Sequence, residues 1–356
     1  MIETVDTADA ASLGRFVEIL DVRSPAEFAE DHIPGALNLP VLSNEERAQV
    51  GTIYVQDSRL RARRIGAAYV ARNIASHLQG PLSDRDGAYA PLVYCWRGGQ
   101  RSHAMATVLS QVGWRVSVLA GGYKTYRRHV TARLYGGPPP PPLVLLDGDT
   151  GSAKTEILGR LAARGVQTLD LEALAEHRGS LFGALPGRPQ PSQKMFESRL
   201  LSALEELDAC RPAVVEAESS KIGQLMTPPT LWKAMLAAPR IVIQAAAADR
   251  AAYLVSAYGD MVNDPEAVAA ILERLPGRHG TPRLGDWRSM AAARDYHALA
   301  CELIEHHYDP AYRRSSRMDT RPLMAEIAVT SLSTAAQETA ADEIAGLVAA
   351  MGSSTV

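Results

Sequence analysis

The chain has no apolar run of the roughly 18 residues that a membrane-spanning helix needs, so no membrane partner is expected. Its start, Met1-Ile2-Glu3-Thr4-Val5-Asp6, lacks the basic segment and apolar core of a secretory leader, and the expected location is the cytoplasm. Cysteine is scarce. Cys95, Cys210 and Cys301 are too widely spaced for a metal-ligand cluster or a disulfide framework, which suits a reducing compartment. There is no excess of positive charge: 37 Lys and Arg against 40 Asp and Glu leave a net charge of −3. That excludes a protein that coats nucleic acid generally, and leaves only local basic sites. No internal repeat is present. What 356 residues with 46% hydrophobic content do allow is two soluble domains with ordinary cores.

The domain boundary is marked by Gly136-Gly137 followed by the run Pro138 to Pro142, which cannot continue a helix or enter a central strand. The expected organisation is a first domain over 1–137, a polyproline linker over 138–142, a second domain over 143–323 and an Ala/Ser/Thr-rich tail over 324–356. In the tail, Thr334 with Gln337 reads as a capping box for a helix from Ala335 to Met351.

The chemistry of the first domain centres on Tyr94-Cys95-Trp96-Arg97-Gly98-Gly99-Gln100-Arg101-Ser102. An apolar run, Pro91-Leu92-Val93-Tyr94, delivers the cysteine to the end of a buried strand, and a glycine turn opens a helix at about Arg101. A thiol at a helix N-terminus is held as thiolate by unpaired N–H groups and the helix dipole, which makes Cys95 a nucleophile. The same cradle accepts anions, and Arg97 and Arg101 stand beside it.

The second domain opens with the buried strand Leu143-Val144-Leu145-Leu146-Asp147 and then Gly148-Asp149-Thr150-Gly151-Ser152-Ala153-Lys154-Thr155. This is a P-loop in all but one position: N–H groups around Gly148, Thr150, Gly151 and Ser152 wrap a phosphate, Lys154 reaches its oxygens and Thr155 helps hold Mg²⁺. The departure is Ala153, where the pattern asks for glycine. Strands over Gln167 to Asp170, Ala213 to Glu218 and Ile241 to Gln244, alternating with helical stretches such as Ser192 to Leu207, imply an α/β domain with a mostly parallel sheet. Asp170, Glu216 and Glu218 at strand ends read either as an acidic motif completing the phosphate and metal site or as caps of the following helices. Which metal would bind is left open. His306-His307 with Glu302 reads as a surface pair rather than a metal site.

Arginines supply the local basic sites. On a helical wheel at ~100° per residue, Arg61, Arg64 and Arg72 form a stripe beside an apolar face of Ala67, Val70, Ile74 and Leu78, which suits either RNA phosphates or plain solvation. Arg127-Arg128 with Arg133, and Arg313-Arg314 with Arg317, are further basic candidates.

Two resemblances follow. Asp21-Val22-Arg23-Ser24-Pro25-Ala26-Glu27-Phe28 with His32-Ile33-Pro34-Gly35-Ala36-Leu37-Asn38-Leu39-Pro40, and Ala120-Gly121-Gly122-Tyr123, resemble the opening and closing signatures of a rhodanese-type sulfurtransferase domain, in which His32 is architectural. That domain fused to a P-loop domain carrying Asp170-Leu171-Glu172, His177-Arg178-Gly179-Ser180, Gln190-Pro191-Ser192-Gln193, Glu218-Ser219-Ser220-Lys221-Ile222-Gly223, Tyr308-Asp309-Pro310 and Tyr312 resembles the bacterial tRNA 2-selenouridine synthases. The resemblance implies replacement of sulfur by selenium at C2 of 2-thiouridine, in the wobble position of the tRNAs for lysine, glutamate and glutamine. Selenophosphate and geranyl diphosphate are the implied cosubstrates, with no tightly bound cofactor, and a selenophosphate-producing enzyme is an implied partner. Cys95 would handle selenium, Arg97 and Arg101 would orient the anion, the P-loop with Mg²⁺ would take the diphosphate, and Trp96 would stack on the extruded base or pack. Two other readings stay open: the Cys-x5-Arg spacing from Cys95 to Arg101 also fits a cysteine phosphatase, and the altered P-loop fits a noncatalytic tRNA-binding or sulfur-carrier protein.

Overall fold

The computed structural model describes residues 2–180, 183–185, 187–259, 264–273, 275, 280–310 and 320–353. Two compact units emerge, one of Met1–Gly137 with Pro191–Glu205, the other of Pro138–Gln190 with Glu206–Val356. Among the described residues no helix is long and apolar enough to cross a membrane.

In the first unit, β1 (Glu3–Val5), β2 (Ile19–Asp21), β3 (Leu37–Asn38), β4 (Leu92–Tyr94) and β5 (Ser117–Leu119) form a parallel sheet in the order β1-β5-β4-β2-β3. Every residue of β4 and β5 is buried, which is why β4 reads as an unbroken apolar run rather than an alternating one. Around the sheet lie α1 (Ala10–Leu13), α2 (Pro25–Glu30), α3 (Asn44–Gln56), α4 (Arg59–Gln79), α5 (Gln100–Val112) and α6 (Tyr123–Gly136). Leu20, Ile74, Val93, Met105, Leu109 and Val118 make the core that fixes β4 and α5, and with them the Cys95 loop.

The basic helix α4 buries Ala62, Gly66 and Ile74, so the expected apolar face is corrected: Ala67 is exposed. Arg61, Arg64 and Arg72 are exposed as expected, but Arg61 pairs with Asp57 and Arg72 with Glu46, which neutralises part of the stripe. Arg127 is likewise engaged, on Glu197. Arg313, Arg314, Arg317 and Tyr312 lie outside the described residues.

Helix Gln193–Glu205 belongs to the first unit, which corrects its expected place in the second. Its anchor is Asp31, whose buried carboxylate accepts the Ser198 hydroxyl at 2.7 Å and the Tyr123 hydroxyl at 2.6 Å. Tyr135 donates to Glu197 at 2.7 Å, and Lys194 reaches Glu30 at 2.5 Å. Beneath lies Arg23, 1% exposed, paired with the wholly buried Asp21 at 2.6 Å, donating to the Asp31 carbonyl and lying 4.2 Å from the Tyr123 ring centroid.

The second unit is a parallel sheet in the order β12-β11-β6-β8-β7, with β6 (Leu143–Gly148) central, β7 (Gln167–Leu169) and β8 (Ala213–Glu216) on one side and β11 (Arg240–Gln244) and β12 (Leu323–Ala328) on the other. A small hairpin, β9 (Lys221–Ile222) and β10 (Leu225–Met226), follows β8. All six residues of β6 are buried, and α7 (Lys154–Ala163) leaves its C-terminal end, while α8 (Leu171–Leu174) follows β7. The expected tail is corrected as well. Residues 324–328 continue β12, and helix Thr334–Ser353 packs Ala340, Ala341, Ile344 and Val348 against Ile157, Leu158 and Leu161. Ser333 rather than Thr334 caps that helix, accepting the Ala336 amide, while the Gln337 side chain donates to the Leu332 carbonyl.

Because the Asp21–Arg23 pair is buried, removing one partner strands the other charge. Arg23→Leu is expected to lower the unfolding free energy by ~3–5 kcal/mol. Asp21→Asn added to Arg23→Leu should recover part of the loss. Urea denaturation of both variants checks this, and a single-variant loss below ~1 kcal/mol would contradict the pair's isolation from water.

Candidate functional site

Each unit places its chemistry where a buried parallel strand ends and a helix begins. In the first, Cys95 follows β4 and is 3% exposed, with the Gly99 amide donating to Sγ at 3.3 Å and Ser102 Oγ at the same distance. Burial pushes the thiol up, but hydrogen bonds from the Ser102 hydroxyl and the Ser102, Arg97 and Gly99 amides outweigh it, so the pKa lies below that of an ordinary thiol. The closing glycines hold this loop from behind. Gly122, at φ +57°, would put a Cβ 2.1 Å from the Cys95 carbonyl oxygen, and the next amide, Tyr123, donates to that oxygen at 2.8 Å. Gly98, at φ +61°, would put a Cβ 2.6 Å from the Leu119 carbonyl oxygen.

Around the sulfur the arginines differ. Arg97 is exposed, whereas Arg101 is turned onto Glu27, with N···O distances of 2.8 and 3.4 Å. Burial raises the Glu27 carboxyl, but Arg101 beside it, helped by the Ser24 amide and Arg47, holds it below the usual range. Glu27 was missed in the sequence as a site residue, since nothing there signals a partner 74 residues away. Trp96 stacks on Tyr123 with ring centroids 5.2 Å apart. His32 stacks on Phe28 and bonds its carbonyl at 2.8 Å, in keeping with an architectural role.

In the second unit, the loop between β6 and α7 has the expected course. Gly148 and Gly151 sit at φ +149° and +85°, where a Cβ would meet the Ile243 carbonyl or the Leu254 side chain below 3 Å. Ala153 is itself left-handed, at φ 58° and ψ 32°, so this loop keeps a glycine conformation with an alanine and carries strain of ~1–2 kcal/mol. Lys154 Nζ lies 2.7 Å from the Gly148 carbonyl, curled over the loop. Arg250, a buried residue without a sequence signal, braces it by bonding the Thr150 carbonyl at 3.2 Å and Asp309 at 2.9 and 2.8 Å. Burial, and then Asp309, raise Asp149.

The three strand-end carboxylates divide. Asp170 caps α8, accepting the Ala173 amide at 2.7 Å, and burial raises it. Glu216 is 1% exposed and accepts the Thr155 hydroxyl at 2.7 Å, with Glu172 3.2 Å from the same hydroxyl. Burial and neighbouring carboxylates push Glu216 and Glu172 well above the ordinary range: Asp170 acts on Glu216, and Glu216 and Glu218 act on Glu172. Gly179 is tucked between Glu172 and Glu218, where a Cβ would lie 2.3 and 2.6 Å from their oxygens.

Among the described residues no three His, Cys, Asp or Glu side chains are grouped to hold a metal. A phosphate-bound Mg²⁺ needs fewer, typically one or two protein oxygens beside phosphate oxygens and water. Thr155 and Glu216, whose Oε2 is buried without a hydrogen-bond partner, fit that donor set. The loop borders a cavity of about 840 Å³ that Glu172, Arg178, Ser180, Glu218 and Tyr258 also line. His307, expected at the surface, is buried and lines this cavity from the wide turn Ile304–Tyr308, while His306 faces Glu302 at 3.7 Å.

Comparison with known proteins matches residues 4–129 to the rhodanese-like domain and residues 141–273 to the tRNA 2-selenouridine synthase AAA domain. The chain is 36% identical over 218 residues to the tRNA 2-selenouridine synthase of Nitrosomonas europaea, covering 60% of this chain and 56% of that protein. It is 35% identical over 232 residues to that of Bdellovibrio bacteriovorus, covering 64% and 60%. With that of Aeromonas salmonicida it shares 38% over 240 residues, covering 66% and 63%. The matched stretches thus span less than two thirds of these relatives' lengths. With both domain models matched in this order, the chain belongs to the tRNA 2-selenouridine synthase family.

Proposed function

We propose that the protein replaces sulfur by selenium at C2 of 2-thiouridine in the wobble position of tRNA, in the cytoplasm, through an S-geranyl intermediate. The lysine, glutamate and glutamine tRNAs are the substrates of this reading, with selenophosphate supplied by a separate enzyme. The observation that carries it is the buried Cys95 sulfur, held toward thiolate by its own loop, in a chain of this family.

The chemistry divides in two. A thiocarbonyl sulfur leaves poorly, so it is first alkylated: it attacks C1 of geranyl diphosphate, the carbon–oxygen bond breaks, and negative charge grows on the departing diphosphate. Lys154 and the amides of the Gly148 to Ser152 loop stabilise that charge. Mg²⁺ bound at Thr155 and Glu216 would supply further charge neutralisation there. The selenium of selenophosphate then adds at C2, the S-geranyl group departs as geranylthiolate, and water cleaves the phosphorus–selenium bond to release phosphate and leave selenium on C2. Cys95 is assigned to selenium handling, Arg97 to the incoming anion, and Arg101, tied to Glu27, to holding the loop.

A phosphatase would need Arg101 on its phosphate, away from Glu27. The decisive experiment incubates 2-thiouridine tRNA with the protein and selenophosphate, geranyl diphosphate, or both, and weighs the nucleosides. Unchanged nucleoside masses alongside tRNA binding would favour a noncatalytic carrier, and turnover of an aryl phosphate would favour the phosphatase.

Cys95→Ser is expected to abolish 2-selenouridine while sparing geranylation, as read by nucleoside mass spectrometry. In the parent protein, alkylation of Cys95 by iodoacetamide should titrate with a midpoint below the ~8.5 of a free thiol. Ser102→Ala should move that midpoint up, because it removes a donor to the thiolate; an unmoved midpoint would contradict the hydrogen-bond account.

In the P-loop, Lys154→Ala should slow geranylation by about 10²-fold, the scale of losing one oxyanion donor. Ala153→Gly should speed geranylation or tighten diphosphate binding by relieving the left-handed alanine. Equal diphosphate binding and geranylation by the parent and Ala153→Gly would show that the methyl is tolerated. Conversion of pre-geranylated 2-thiouridine tRNA to 2-selenouridine should survive both changes.

A further inference from the structure

Beside the phosphate loop, within the second unit, lies a separate apolar chamber of about 90 Å³. Leu254 and Val255 from helix Ala247–Ala257, Val268 from helix Pro265–Glu273, and Leu299, Ala300 and Leu303 from helix Tyr296–Leu303 form its walls. The chamber is not isolated. Thr150, Tyr258 and Tyr308 line both it and the 840 Å³ cavity over the P-loop, and Leu254 lines both while also packing against Gly151 of the loop itself. A ligand seated here therefore joins an anionic head to an apolar body across one leucine.

We infer that this chamber receives the far end of the prenyl chain whose diphosphate occupies the P-loop, and so sets the chain length of the donor. The inference rests on the geranyl diphosphate reading above. A nucleobase is a poor occupant, because its ring nitrogens and amino group would lose most of their hydrogen bonds to water in a chamber whose exposed lining is almost wholly apolar, despite the hydroxyl-bearing Thr150, Ser180, Tyr258, Tyr296 and Tyr308 around it. A prenyl chain has no polar atom to satisfy. Size bounds the match: an engineered apolar cavity of ~150 Å³ takes up benzene, so about 90 Å³ holds no more than one five-carbon isoprene unit. One terminal unit inside, with the rest of the chain toward the shared boundary, suits a two-unit donor better than a three-unit one.

The test is calorimetric binding to the full chain of inorganic pyrophosphate, geranyl diphosphate, farnesyl diphosphate and ATP. The parent is expected to bind geranyl diphosphate at least tenfold more tightly than pyrophosphate and than farnesyl diphosphate. Ala300→Phe, which fills the chamber, should erase the advantage over pyrophosphate while leaving pyrophosphate affinity within twofold. Val255→Ala, a milder change that widens the wall, should bring farnesyl diphosphate to within about threefold of geranyl diphosphate. If Ala300→Phe also loses pyrophosphate, its fold is disturbed and Val255→Ala decides. Parental chain-length preference in Val255→Ala, or a retained geranyl advantage in a folded Ala300→Phe, overturns the chamber while sparing the geranyl reading. A parent that binds geranyl diphosphate no better than pyrophosphate, or that prefers ATP, overturns the geranyl reading and the chamber with it.

Discussion

A parallel strand buried on both faces must end by turning sharply, and the backbone groups it releases must find partners within a few residues. Both sites of this protein are answers to that constraint. After β4, the Cys95 carbonyl is met by the Tyr123 amide, which requires Gly122 to lie bare against it, and the sulfur faces the start of α5. After β6, the backbone clears the Ile243 carbonyl at Gly148 and Leu254 at Gly151, then turns left-handed at Ala153 into α7. Substituting any of those glycines would displace backbone, so the loops are fixed by contact as much as by sequence preference.

The two sites treat buried charge oppositely. Around Cys95, hydrogen bonds overcome burial in favour of an anion, and Glu27 is kept ionised by Arg101. Around Thr155, Glu172 and Glu216 are pushed toward their neutral forms, so the ground under the loop carries less negative charge than its acids suggest. A carboxyl with a raised native pKa favours folding below its unfolded pKa and loses that contribution as pH climbs through the native value. A cation arriving with the phosphate would draw those protons off and take over their role.

What could be read from the chain in advance was whatever lies close together along it. The Cys95 loop, the glycines of the P-loop, the left-handed demand at Ala153 and the glycine–proline break after Gly137 are all local patterns, and the corresponding loops form, but the first unit does not end at Gly137 and takes in Pro191–Glu205 as well. Pairings across long separations were not legible. Arg250 with Asp309, Arg101 with Glu27 and Ser198 with Asp31 each depend on which faces meet, and a lone charged or hydroxyl residue does not announce its partner. Asp170 and Glu172 show the finer limit: two acids on one turn, of which the first caps a helix while the second reaches Thr155. The C-terminal segment was misread because small residues look featureless until Ala340 and Ala341 are seen to permit close approach to α7.

The placement of helix Gln193–Glu205 has a consequence for how this protein is made. The chain leaves the first unit at Gly137, returns at Pro191 and leaves again at Glu205, so that unit is not contiguous in sequence. On a ribosome, its strands and Cys95 emerge long before Ser198, the hydroxyl that satisfies the buried Asp31 carboxylate. Synthesis at ~5–20 residues per second puts an interval of seconds between them, during which this surface is left uncovered and open to wrong partners. A fragment ending at the polyproline run would be held permanently in that unfinished state.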